Sequence, residues 1–382
     1  MSADWIDSET ALRRLGVRSQ TLYAYVSRGR VDARPDPADP RRSLYRAADI
    51  GALTERRARG RKASAVAQSA IAWGEPVLAS AITTIAGGRL WYRGRDVAGL
   101  AETQTLEAVA RLLRGGHGAV LKTLERTAPP ALPDGRARLF AALAARAAAE
   151  PPARGRAPLA LALEGAGLLD LVADAVSGSL GTGPIHDRLA AAWSRPDAAD
   201  AIRRALVLLA DHELNASTFA ARVAASTGAG LSAAALAGLC ALSGPLHGGM
   251  AARVWNLVEE SRRIGPAATV AGRLARAAPT PGFGHPLYPE GDPRAAALLA
   301  ACPPTPDLAA LLAAVETGTG ERANIDFALV AMAEALGLPQ DAPFLLFAVA
   351  RSAGWIAHAV EEGSGGRLIR PRARYVGPAV AT

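Results

Sequence analysis

The stretch from Pro281 to Arg294 (PGFGHPLYPEGDPR) gathers four prolines, three glycines, one of the chain's six histidines and an arginine into fourteen residues. Glycine supplies positive φ and close backbone approach, and proline fixes φ. The stretch therefore reads as a stiff loop, neither helix nor strand, that holds His285 and Arg294 in place. Taken alone, an ordinary surface turn has the same composition.

Three other clusters carry chemistry. Asp211-His212-Glu213-Leu214-Asn215-Ala216-Ser217-Thr218 has the spacing that sets Asp211, Asn215, Thr218 and Arg222 on one helical face. Gly244-Pro245-Leu246-His247-Gly248-Gly249 is a tight turn presenting a histidine. Asn324-Ile325-Asp326-Phe327 places a lone carboxylate between apolar neighbours, an environment that raises its pKa and makes it a usable base. Each also has a plainer reading, as a structural histidine or a helix cap. No two histidines stand at metal-ligand spacing, and neither a G-x-S-x-G elbow nor a phosphate loop with its lysine occurs.

Helices must carry these groups. Of the 382 residues 50% are apolar and only 5% aromatic, and alanine and leucine dominate, which predicts a mostly α body of two or three domains. Cys240 and Cys302 are the only cysteines, a count that fits a reducing cytosol. The first ten residues carry Asp4, Asp7 and Glu9 without a basic start or apolar run, so no secretory signal is expected there. Val223 to Ala252 has no charged residue and is long enough to span a bilayer, but its glycines and closing Gly/Pro/His turn predict a buried core helix. A hairpin is expected around Gly87-Gly88. Helices are expected over 106–114, 137–149 and 201–210.

The net charge of +8 is concentrated at the start, with +6 in residues 1–62 and +2 in the rest. Asp7-Ser8-Glu9 opens a short helix, Gly16 turns the chain, and Ser19 caps a second helix that Gly29 ends. A ribbon broken by Pro35, Pro37 and Pro40, the pair Arg41-Arg42 and a third helix from Ala47 to Leu53 follow. This order resembles MerR-type and excisionase-like winged helix-turn-helix modules over residues 4–56. The resemblance implies that Arg18, Gln20, Tyr23 and Arg28 face double-stranded DNA from the second helix. Arg41 and Arg42 would then meet phosphates, with the basic tail to Lys62 adding contacts.

In order along the chain, DHE-x-NAST, GPLHGG, GFGH…DPR, NIDF, FAVAR-x-AGWIAH and RLIRPR resemble the citrate synthase family over residues 76–378. The resemblance implies a cytoplasmic helical homodimer of the tricarboxylic acid cycle. Its large domain would be 63–247 with 333–382 and its small domain 248–332, the two closing over oxaloacetate and an acyl-CoA without any cofactor. Asp326 would be the base, His247 the donor to the enolate oxygen, and His285 the group that polarises the ketone. His212, Arg294, Arg351, Phe347 and the neighbouring subunit's Arg370 would hold oxaloacetate. The chain departs from the family where HGGANE reads His247-Gly248-Gly249-Met250-Ala251-Ala252. Pro289, Glu290, Thr317 and Thr319 also stand where basic residues for CoA are usual. The oxaloacetate side is thus kept and the CoA side altered, so 2-methylcitrate formation from propionyl-CoA, or a DNA-binding metabolite sensor on this fold, stand as alternatives.

Overall fold

The structure, a computed structural model, describes residues 5–17, 19–27, 30–54, 78–116, 126–365, 367–373 and 375–378. The chain divides into two compact units, Met1–Ala79 and Ser80–Thr382.

In the first unit the expected helices form. α1 (Ser8–Leu15) is capped by Asp7, whose carboxylate accepts from Thr10 N–H at 2.7 Å, and Gly16 ends it at φ 59°. α2 (Ser19–Ser27) follows, with Ser19 already helical and not its cap. The ribbon is a true hairpin of β2 (Ala33–Asp36) and β3 (Asp39–Arg46), with Pro35 at an irregularity of the ladder. Sequence reading missed β1 (Trp5–Asp7), which pairs with the other edge of β3 to give a three-stranded sheet. Three residues are too few to show alternation, so the strand exists only through its partner. A third helix, α3, covers 47–54. Ala11, Leu15, Leu22, Val31, Tyr45 and Ile50 make the small core. Gln20 and Tyr23 are exposed on α2, and Arg41 and Arg42 on β3, each beside Asp39. Arg18, Arg28, Gly29 and the basic tail 55–62 lie outside the described residues.

The second unit opens with the expected hairpin, β4 (Thr83–Ala86) and β5 (Arg89–Tyr92), turned by Gly87 and Gly88 at φ 59° and 70° and extended by β6 (Arg95–Asp96). Among the described residues the rest of its regular structure is helical. α4 (Val97–Thr103), α5 (Leu106–Leu113), α6 (Gly135–Ala149), α7 (Pro158–Ser177), α8 (Ile185–Ala192) and α9 (Ala199–Leu209) lead to α10 (Ala216–Ser226) and α11 (Leu231–Leu242). α12 (Met250–Ile264), α13 (Pro266–Ala275), α14 (Pro293–Ala301), α15 (Pro306–Thr319) and α16 (Ile325–Ala335) precede the long α17 (Ala342–Gly365). The uncharged stretch 223–252 is not the single helix expected. It is the end of α10, α11 and the start of α12, parted by Gly228 at φ 87° and by the His247 turn.

α17 is the axis, packed by α5, α7, α9, α10, α11 and α16. Its segment Ala342–Gly363 is apolar and long enough to cross a membrane, but 94% of its apolar window is buried inside the protein. One close approach is at Gly238 of α11, where a Cβ would lie 2.6 Å from the Trp355 ring. Gly238→Ala should therefore cost about 1–3 kcal/mol by overpacking, read as a lower midpoint of urea unfolding at unchanged slope. An unchanged midpoint would show that the two helices are free to separate.

Candidate active site

The loop of Pro281 is pinned where its glycines allow. Gly282 has φ 86°, and a Cβ there would lie 3.0 Å from Phe327 Cβ. Gly284 N–H donates to Arg322 O at 2.9 Å, Asn324 N–H to Gly282 O at 2.8 Å, and Asn324 Nδ2 to Gly284 O at 3.0 Å. This short antiparallel contact ties His285 to the start of α16, where Asp326 sits. The loop itself ends earlier than its composition suggested. Asp292 caps α14, Pro293 is the first helical residue, and Arg294 is buried in the first turn.

Asp292 holds Arg294 as a two-pronged pair, accepting from Nε at 2.9 Å and Nη2 at 2.8 Å, and also accepts from Ile325 N–H at 3.0 Å. It joins the first turns of α14 and α16. Burial works to raise its pKa, but the Arg294 charge and hydrogen bonds outweigh this and hold it below the usual range. Its role was readable from Asp-Pro-Arg, an Asp cap followed by proline, yet sequence reading placed it inside the loop.

The helical face expected from Asp211 to Arg222 does not form as one surface. Asn215 caps α10, accepting from Ser217 and Thr218 N–H at 3.1 Å each, and Glu213 has φ 50°. Asp211 and His212 therefore lie in the turn between α9 and α10, and only Thr218 and Arg222 are helical. That turn brings His212 into the site. Its Nε2 is 2.9 Å from Tyr288 Oη, and its ring centroid lies 5.3 Å from that of His285. Tyr288, a loop aromatic that sequence reading left without a role, stacks beside both histidines and Arg294.

All three site histidines are held neutral. Burial, then the charges of Arg351 and Arg294, drop His247 to about 3. Burial and Arg294 drop His285 to about 4, and burial followed by both arginines drives His212 well below its ordinary value. His285 Nδ1 accepts from Leu287 N–H at 3.2 Å, so its proton is on Nε2, a neutral donor. His247 Nε2 lies 2.9 Å from Ser217 Oγ, which accepts from Trp355 Nε1 at 3.1 Å and donates to Asn215 Oδ1 at 2.7 Å. If the Ser217 proton turns from Asn215 to His247 Nε2, the imidazole proton moves to Nδ1, so Ser217 sets which nitrogen donates. Sequence reading singled out the residues on either side of Ser217 and missed it.

Arg351 of α17 lies under Phe347, 4.9 Å from its ring centroid, and His247 meets the edge of the same ring at 5.6 Å. Arg351 Nε donates to Leu209 O at 2.8 Å, while Nη2 is buried with no hydrogen-bond partner among the described residues. Burial pushes this arginine down to about 10, the cost of a cation that lacks a full set of partners. Asp211 has a structural part. His358 Nε2 contacts its Oδ2 at 3.2 Å, and Arg222 meets His358 Nδ1 at 3.0 Å, Glu361 and Glu362.

Asp326 stands at the start of α16, its N–H given to Asn324 Oδ1 at 3.0 Å. Burial raises its carboxyl to about 7. Asp292 adds to the rise, and Arg294 and Arg351 oppose it. A buried carboxyl poised near neutrality is suited to act as a base. Of the sequence-chosen residues, His212, His285 and Arg294 share one contact cluster, and His247, Phe347 and Arg351 share another. The charges of Arg294 and Arg351 reach Asp326, His247 and His212 alike. Arg370 is exposed in the segment after α17, and Pro289 and Glu290 are exposed on the loop.

Residues 174–372 match the model of the citrate synthase C-terminal domain. Citrate synthase 2 of Bacillus subtilis is 37% identical over 194 residues, covering 48% of this chain and 52% of that one. The 2-methylcitrate synthase of Shewanella oneidensis is 36% identical over 183 residues, covering 45% and 49%. The chain thus spans about half the length of the curated relatives it matches. Among solved structures, the Thermoplasma acidophilum citrate synthase, determined as a ternary complex with carboxymethyl coenzyme A and oxaloacetate, superposes with a TM-score of 0.67. It is 28% identical and covers 80% of this chain and 95% of that one. By its domain match, its mostly helical fold and the ordered motifs, the chain belongs to the citrate synthase family.

Proposed function

We propose that the chain condenses acetyl-CoA with oxaloacetate and hydrolyses the product thioester, releasing CoA and citrate. The observation that carries this reading is Arg351, a buried guanidinium with an unused Nη2. Beside Arg294 it makes a surplus of positive charge that a small dicarboxylate would neutralise. Asp326 takes the α-proton of the thioester, and His247, donating from Nδ1 with Ser217 turned to Nε2, stabilises the enolate oxygen. The α-carbon attacks the ketone of oxaloacetate, and His285 Nε2–H protonates the new alkoxide. Water then cleaves the thioester, which makes the sequence irreversible. Protein groups and the CoA thioester supply all of this chemistry. Closing of 248–332 on 63–247 with 333–382, in a homodimer to which Arg370 adds a carboxylate contact across subunits, completes the proposal.

The likeness to both citrate and 2-methylcitrate synthases leaves two acyl groups to compare, since one methylene changes selectivity by only about 1–3 kcal/mol. Mass spectrometry of reactions containing oxaloacetate with acetyl-CoA or propionyl-CoA should find one tricarboxylate formed per CoA released. The preferred thioester names the substrate, and CoA release without either tricarboxylate would reject condensation.

We also infer that the first unit binds double-stranded DNA. Helix, glycine turn, helix and basic hairpin, with Gln20, Tyr23, Arg41 and Arg42 exposed, support this. Duplex affinity should fall steeply with salt and vanish when residues 1–62 are removed. Equal binding by the truncated chain would reject the inference.

A further inference from the structure

The second unit contains a cavity of about 250 Å³ built from different residues than the candidate active site. Its lining includes Arg93, Arg114 and Arg156, the apolar Leu161 and Val360, and Glu361 near the end of α17. Arg351 and Glu361 are ten residues apart, about 15 Å along that helix.

The arginines are not equally engaged. Arg156 pairs with Glu164, leaving its Nη1 buried without a hydrogen-bond partner among the described residues. Arg93 spends its Nε on Leu113 O at 2.8 Å. Arg114 is only 8% exposed, and both its Nε and Nη1 are buried with no such partner. The stem of Arg114 lies against α7, 3.6 Å from where a Cβ on Gly165 would be. Burial, then Arg111, pushes Arg114 down to about 10. Glu361, the carboxylate on the wall, accepts from Ala81 N–H and pairs with Arg222. Three guanidiniums therefore line one small space, and of the two carboxylates described there Glu164 pairs with Arg156 and Glu361 with Arg222. Burying like charges together is unfavourable until an anion joins them.

We propose that this cavity is a second anion site, taking a compact, multiply charged oxyanion whose charged groups meet Arg93, Arg114 and Arg156. Any short apolar part would lie on Leu161 and Val360. Phosphoryl and carboxylate compounds share this chemistry. The wall of the site shares α17 with Arg351, and Glu361 leads through Arg222 and His358 to Asp211, the neighbour of His212.

The test is thermal unfolding of the full chain at fixed ionic strength with sodium pyrophosphate, with propane-1,2,3-tricarboxylate, or with sodium chloride alone. At least one polyanion should raise the Tm by several degrees over chloride. Arg114→Leu removes a buried cation that has no ion pair among the described residues, so its Tm without anion should equal or exceed that of the wild type, and the anion-dependent rise should disappear. Arg93→Gln, at a half-buried side chain, keeps the fold and should weaken the same anion about tenfold. Loss of the pyrophosphate shift alone assigns a phosphoryl ligand, and loss of the tricarboxylate shift alone a carboxylate ligand. The proposal is overturned if neither polyanion exceeds chloride, or if the shift survives in both variants.

Discussion

Asp326→Asn should lower oxaloacetate-dependent CoA release by about 10²–10⁴-fold, the usual contribution of a positioned general base. It should also make the protein more stable at pH 8. The carboxyl titrates near 7 in the fold, against an ordinary value of 3.8. A raised folded pKa contributes stability that is full below pH 3.8 and lost as pH rises through 7. The asparagine, which never ionises, should therefore gain little at pH 4 and gain on the order of a few kcal/mol above pH 7. Wild-type kcat/KM should fall about tenfold per pH unit below 7. His247 and His285, already neutral above about 3 and 4, add no second limb between pH 5 and 8. Thermal unfolding at both pH values checks the stability half. A variant equally stable at pH 4 and less stable at pH 8 would mean that the Asp326 carboxylate is favourably solvated in the fold.

Arg351→Leu should raise the KM for oxaloacetate by roughly 10²–10³-fold and leave that for acyl-CoA nearly unchanged. Truncating one partner of a desolvated charge pair costs about 2–5 kcal/mol. Arg351 is a cleaner choice than Arg294 because its Nη2 has no hydrogen-bond partner to orphan among the described residues. Arg294→Ala should likewise weaken oxaloacetate more than acyl-CoA, but it leaves Asp292 buried without its partner, at a stability cost of about 3–5 kcal/mol. Steady-state kinetics with each substrate varied in turn separates these effects. An equal loss for both substrates in Arg351→Leu would remove this arginine from the oxaloacetate site.

The sequence disclosed the site better than it disclosed the joints that assemble it. His285 and Asp326 stand out by residue type and neighbours, because prolines, glycines and apolar flanks leave a local record. The bridge between Gly282–Gly284 and Arg322–Asn324 leaves none, since its backbone hydrogen bonds join segments about forty residues apart. Ser217 was missed for the same reason, as its value lies in meeting His247 from a turn and Trp355 from another helix. The face from Asp211 to Arg222 failed because spacing alone cannot show where a helix starts. Asn215 was the available signal, being a strong cap residue. Composition likewise made one helix of 223–252, although Gly228 and Gly230 were breakers in plain sight.

The central claim is that Asp326 opens an oxaloacetate-dependent acyl-CoA condensation. Thiol release from acetyl-CoA and propionyl-CoA, with and without oxaloacetate, in wild type and Asp326→Ala tests it most directly. Release is expected from the wild type only when oxaloacetate is present, reduced to background by the substitution. Release that ignores oxaloacetate, or that survives in Asp326→Ala, would contradict it.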